Sequence, residues 1–234
     1  MFMQNCASCH CAAGAGNGAA AAALRIKSTD LTQPHPWEHS AGAMFWFLTH
    51  GIDDPEGGMA MPGFASSLSA DDRWALIDDV RAHNAAKTIR PDARFGIPES
   101  APGLTIACNG LAATVMGDLH GHAVFVVLGD GFGDVPRQGA ITLSVPAGDV
   151  RPPPGSCVAA DRAPRNAFAV LADLSLAGSA GSQLLVDPDG WLHAALRPGT
   201  AVGLQARQDL LADIRGIIAH PIEQISGASH EHHH

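Results

Sequence analysis

Near the amino terminus of this 234-residue chain, the segment Cys6-Ala-Ser-Cys9-His10 sets the strictest condition on how it folds. Two thiols three positions apart lie on one side of a single helical turn, and an imidazole follows at once. This is the C-x-x-C-H pattern of c-type haem attachment. The thiols add to the two vinyl groups on one edge of a porphyrin, and the histidine faces the iron. Two other readings weigh less. A thioredoxin-type dithiol sits between a strand and a helix, and nothing strand-like precedes Cys6. A zinc site needs a second ligand pair at matching spacing, which the chain does not offer.

A haem iron takes a second axial ligand or keeps an open site. Gly58-Met59-Ala60-Met61-Pro62-Gly63-Phe64 follows in a Gly- and Pro-rich loop. Methionine ligation raises the reduction potential and suits electron transfer. Met61 is the first candidate, because the proline after it restricts it to an extended conformation. Met59 is the reserve, His39 and His50 are alternative ligands, and a core-filling methionine is the bland alternative. After the loop, Ser69-Ala-Asp-Asp72 predicts a capping box opening a helix to about Asn84, with Trp74, Ile77 and Val80 on one face. Before it, Met44 to His50 reads as a short apolar helix stopped by Gly51.

Composition narrows the function classes. There are 14 Lys plus Arg against 23 Asp plus Glu, a formal net charge of -9, so no basic face offers itself to nucleic acid. Hydrophobic residues at 46% supply a core. No apolar run approaches the eighteen residues or so of a membrane span, and Ala123 to Leu128 reads as a buried strand. The stretch before Cys6 has neither a charged region nor an apolar core of the secretory kind.

Residues 1–86 resemble a class I c-type cytochrome, of the short kind also found as domains in larger redox and copper-handling proteins. The resemblance rests on Asn5-Cys-Ala-Ser-Cys-His10, Gly14-Ala-Gly-Asn-Gly18, Asp30-Leu-Thr32, Phe45-Trp-Phe-Leu-Thr-His-Gly51, Met61-Pro-Gly-Phe64 and Leu68-Ser-Ala-Asp-Asp-Arg-Trp74. It implies an all-α fold, one covalent haem c on Cys6 and Cys9, and His10 and Met61 as axial iron ligands. It also implies an exported, periplasmic location, so a chain starting five residues before Cys6 is expected to be a fragment, a mis-started frame or a mature form. Cys11 departs from the family, which usually has glycine after the histidine.

The second half reads differently. Residues 87–102 are Pro-interrupted and read as a linker. Beyond them come short apolar runs at Leu104 to Cys108, Ala123 to Leu128, Ala140 to Val145, Cys157 to Ala160, Gln183 to Val186 and Trp191 to Leu196. Asp187-Pro-Asp-Gly190 turns the last two into a hairpin, and Arg165 to Leu174 and Leu204 to Ile218 read as helices. Residues 103–218 are therefore expected to be an α/β domain. The closing hairpin and helix resemble those of a thioredoxin-like fold, without the redox C-x-x-C: Gly129-Asp-Gly-Phe-Gly-Asp134 stands where that motif would be. Cys108 and Cys157 form either a disulfide or two buried thiols.

Residues 219–234 end in Ser229-His-Glu-His-His-His234, which reads either as a binder of copper or another metal or as a purification tag. The expectation is an electron carrier, not an enzyme, that docks with redox proteins. The alternative is a copper-handling accessory module, in which the second domain and the tail bind metal or a partner.

Overall fold

The computed structural model describes residues 1–129, 139–160 and 164–198, and divides the chain into two compact units, Met1–Thr88 and Ile89–His234. The expected Gly-rich segment after residue 129, the helix over 204–218 and the His-rich tail lie outside the described residues, the first apart from Gly129 itself.

The first unit is helical with one small hairpin. Helices α1 (Phe2–Asn5) and α2 (Ala7–His10) are single turns that meet at Cys6. Helix α3 (Ala41–His50) is opened by Ser40, whose side chain accepts from the Ala43 N–H at 3.1 Å. It stops at Gly51, which sits at φ +82° with its N–H returned to the Phe47 carbonyl. A side chain at Gly51 would also run into the Met61 carbonyl, so glycine is demanded twice.

Strands β1 (Gly51–Asp53) and β2 (Met59–Pro62) then pair antiparallel. An all-α unit with Met61 in a loop is thus corrected: two glycines at Gly57 and Gly58 close a turn tight enough for the flanking residues to pair. Helix α4 (Ala70–Lys87) begins with the expected Ser69/Asp72 capping box. Its buried face carries Arg73, Leu76, Ile77 and Asn84, while Trp74 is exposed and stacks on Phe45 at 4.5 Å. The expected face is therefore rotated. Arg73 takes the inner position because its guanidinium reaches the Thr49 hydroxyl at 2.6 Å and lies over the Phe45 ring.

Among its described residues the second unit forms a six-stranded mixed sheet in the order β3-β6-β5-β4-β7-β8. The strands are β3 (Ile106–Cys108), β4 (Val124–Leu128), β5 (Ile141–Val145), β6 (Ser156–Ala159), β7 (Gln183–Val186) and β8 (Leu192–Leu196), each on an apolar run read from the sequence. The central strands β4, β5 and β6 run parallel; β3 and the hairpin β7–β8 run antiparallel to their neighbours. Every residue of β4, β5 and β6 is buried, as a continuous apolar strand in the middle of a sheet requires. Helix α5 (Pro164–Leu171) presents Phe168 and Leu171 inward. Asp187 shapes the β7–β8 turn by accepting from the N–H groups of Asp189 and Trp191.

Part of the expected linker is corrected too. Residues 93–101 lie along β8: Ala195 N–H donates to Ala93, Phe95 N–H to His193, and Leu192 N–H to Glu99. Ala93 and Phe95 are buried. A proline lacks the N–H that a central strand needs, which is why the stretch reads as a linker, yet it is tolerated in chain that uses only one side of its backbone.

Candidate functional site

Cys6, Cys9 and His10 lie on consecutive turns of α1 and α2 and are all half-buried. A helical turn this short leaves its carbonyls without partners, and the loop that follows supplies them. Gly18 N–H donates to Cys9 O at 2.8 Å, Gly16 N–H to His10 O at 3.0 Å and Ala20 N–H to Ser8 O at 2.8 Å. Gly18 lies so close that a Cβ there would overlap the carbonyls of Ser8 and Ala7. Burial pushes the Cys6 thiol up.

The imidazole of His10 is oriented. Its Nδ1 lies 2.9 Å from the Thr29 carbonyl oxygen, which can only accept. Nδ1 therefore carries the proton, and Nε2 keeps its lone pair for a metal. Thr29 belongs to a collar, residues 14–33, that is itself held at several points. Leu31 N–H donates to Gly14 O at 2.7 Å, and Asp30 accepts from the backbone and hydroxyl of Thr32. Asn84, 1% exposed on α4, donates from Nδ2 to the carbonyls of Leu31 and Gln33.

Cys11 follows at φ +57°, ψ 170°, a region natural only to glycine. This gives a physical reason for glycine at that place. The N–H of Ala15, helped by those of Ala13, Gly14 and Asn17, holds the Cys11 thiol below its usual value.

Met61 sits half-buried on β2 opposite Ile52, while Met59 is 62% exposed. The hairpin is fixed at both ends: Phe64 N–H donates to Leu48 O at 2.8 Å, and Arg25 grips Asp54 and Glu56 at the turn. Burial separates the two methionines in favour of Met61. His39 pairs with His35, and His50 packs on Trp46 at 3.8 Å between ring centres.

The unit leaves much apolar surface uncovered. Helix α3, Ala-Gly-Ala-Met-Phe-Trp-Phe-Leu-Thr-His, has no buried residue, and Trp46, Ile52, Met59 and Trp74 are exposed. A helix of this hydropathy without buried side chains is expected where a large apolar group completes the core. Two thiols on one helical turn, an imidazole whose Nε2 keeps its lone pair, a half-buried methionine on a hairpin fixed through its backbone and this uncovered face together fit a c-type haem.

Sequence reading missed Thr29, and it named Gly18 only within the Gly14-to-Gly18 loop and Asn84 only as a helix end, without their roles. Asn84 was detectable: it falls seven residues after Ile77, on the same helical stripe, so a polar group there had to be buried and bonded. Thr29 acts through its carbonyl, which no side-chain pattern reveals. In the second unit the structure joins Cys108 and Cys157, directly opposed on β3 and β6, in a disulfide. Among the described residues no group of three or more His, Cys, Asp or Glu gathers as a metal site, and no helix is long and apolar enough to cross a membrane.

Residues 1–78 match the family model described as cytochrome C oxidase, cbb3-type, subunit III, which places a cytochrome c-type domain in the first unit and implies haem c in general. A comparison with curated proteins finds no match. Among solved structures, a candidate protein disulfide isomerase from Bacteroides thetaiotaomicron is 15% identical, with 52% of this chain and 89% of that chain covered and a TM-score of 0.34. BsSco, a member of the Sco family of cytochrome c oxidase assembly proteins, is 12% identical, with 53% and 95% covered and a TM-score of 0.35. Both likenesses are low in TM-score and identity.

Proposed function

We propose that the first unit is a single-haem electron-transfer module of an exported redox chain, working with redox-protein partners. Cys6 and Cys9 would hold the haem through their thiols, and His10 and Met61 would ligate its iron. The observation that carries this reading is the His10 Nδ1 to Thr29 carbonyl contact, which leaves Nε2 with a lone pair for a metal directly after a C-x-x-C turn. When bound, the haem supplies an iron that changes oxidation state by one electron. The chain's own residues do the rest. The 14–33 collar fixes the imidazole, the β1–β2 hairpin holds the methionine, and α3 and Trp74 supply apolar surface that keeps water away.

The second unit we read as a thioredoxin-like domain that has lost dithiol chemistry, with its Cys108–Cys157 bridge structural. The copper-handling alternative rests on the sequence of the tail.

The test is expression as an exported fusion together with haem-attachment enzymes. Haem that stays with the polypeptide on a denaturing gel, and is lost in the double variant Cys6→Ala, Cys9→Ala, is the expected result. Met61→His should lower the reduction potential, since a thioether ligand favours the ferrous state, while Met59→Leu should leave it in place. An exported chain without covalent haem would overturn the proposal.

A further inference from the structure

The 3-10 turn His35–Glu38 brings together two imidazoles that the haem reading does not use. His35 Nε2 and His39 Nε2 lie 3.3 Å apart. Their ring centres are farther apart, at 4.8 Å, so the rings diverge from the two nitrogens instead of stacking. Tetrahedral ligation with metal–nitrogen bonds of about 2.0–2.1 Å places neighbouring nitrogens about 3.3 Å apart. The pair is therefore already spaced for one cation.

A second observation points the same way. His35 Nδ1 lies 3.3 Å from Glu38 Oε2. A carboxylate accepts there, so Nδ1 carries the proton and Nε2 offers its lone pair, the orienting arrangement that metal-bound histidines show. The turn is stiff. Pro34 and Pro36 flank His35, Trp37 N–H donates to Pro34 O at 2.9 Å, and Arg81 from α4 lies over the Trp37 ring at 4.4 Å. His39 stands edge-on to Phe47, at 5.4 Å between ring centres. The side chains of His35 and Glu38 are 53% and 71% exposed, so an ion and its remaining waters have access.

We propose that His35 and His39 form a two-histidine surface site for a borderline divalent cation of the zinc class, ligated through both Nε2 atoms once the cation displaces to solvent the proton that now hydrogen-bonds them, with Glu38 as the positioning residue. Imidazole suits zinc, copper(II) and nickel, and waters fill the remaining positions.

The test is titration of the full chain with zinc chloride. Free thiols are first capped with iodoacetamide, and His230, His232, His233 and His234 are replaced by asparagine so that the tail does not compete. One equivalent should bind. His35→Gln and His39→Gln should each weaken it at least tenfold; Glu38→Gln should weaken it by roughly tenfold at unchanged stoichiometry. His50→Gln should change nothing. In the unsubstituted turn, zinc should shift the imidazole ring protons of His35 and His39 together in the NMR spectrum, a readout independent of any variant's folding. No zinc binding, binding that survives both His35→Gln and His39→Gln, or ring-proton shifts at other histidines would overturn the proposal.

Discussion

Replacing Asn84 by alanine tests whether α4 holds the collar that orients His10. The amide is 1% exposed, and its Nδ2 donates to Leu31 O at 2.8 Å and Gln33 O at 2.7 Å. Truncation removes both donors. Each carbonyl left without a partner costs about 1–3 kcal/mol, whereas the Asn84 Oδ1, itself buried without a partner, returns part of that when it is removed. The net loss is expected at about 2–4 kcal/mol, or roughly 10–25 °C in the melting temperature of a unit this size. Thermal unfolding of the full chain followed by far-UV circular dichroism reads the first unit, which holds α3 and α4. Asn84→Asp sharpens the test, since it keeps the shape but turns an acceptor toward two carbonyls. It should be worse than alanine at pH 7 and recover on acidification, when the protonated carboxyl regains one donor. Asn84→Ala within about 1 kcal/mol of the parent, or Asn84→Asp no worse than alanine at neutral pH, would refute the reasoning.

Three further outcomes are expected. Replacing Cys108 and Cys157 together by alanine opens a loop with a sequence separation of 49 and should lower the second unit's stability by about 4 kcal/mol in urea unfolding. Cys11→Gly should raise the first unit's stability by about 1 kcal/mol in the same measurement, because it relieves a backbone conformation foreign to side chains, less the entropy that glycine adds to the unfolded chain. The two units should respond to pH in opposite senses. Asp79, hydrogen-bonded to His83, raises that imidazole above 6.5, so its contribution is present below pH 6.5 and is lost as pH rises through the folded value. Burial, helped by Arg94, lowers His193, whose contribution is present above pH 6.5 and is lost as pH falls through the folded value. Melting curves of His83→Gln and His193→Gln from pH 5 to 8 check both signs: the first should lose stability mainly at the acid end, the second mainly at neutral pH.

The parts of this protein legible in its sequence are those in which side chains announce their surroundings. The apolar runs of β4 to β8 have no other way to be buried than in a sheet, and Ser69 with Asp72 marks the start of α4 within a residue. The Cys6-to-His10 turn was legible because its chemistry needs a fixed spacing. What was not legible depends on backbone. The His10 partner is a carbonyl, the β1–β2 pairing follows from two glycines at positive φ, and residues 93–101 lie on β8 through main-chain bonds despite their prolines. The rotated face of α4 has a different origin: Arg73 found a hydroxyl and an aromatic ring, and a tryptophan took the outer position instead.

The chain lying on β8 has a counterpart across the sheet. Beside β3, Thr105 bridges Val115, and Ile106 N–H donates to Thr114 O at 2.8 Å. Each rim of the six-stranded sheet is thus hemmed by irregular chain of its own, on one side interrupted by Pro98. A bare rim is a template on which any extended peptide, or a second copy, can continue the ladder and seed a fibril. Here that template is taken up from within. A protein meeting this unit must then recognise side chains on its faces or loops, because strand addition would first have to peel away one of the two hems.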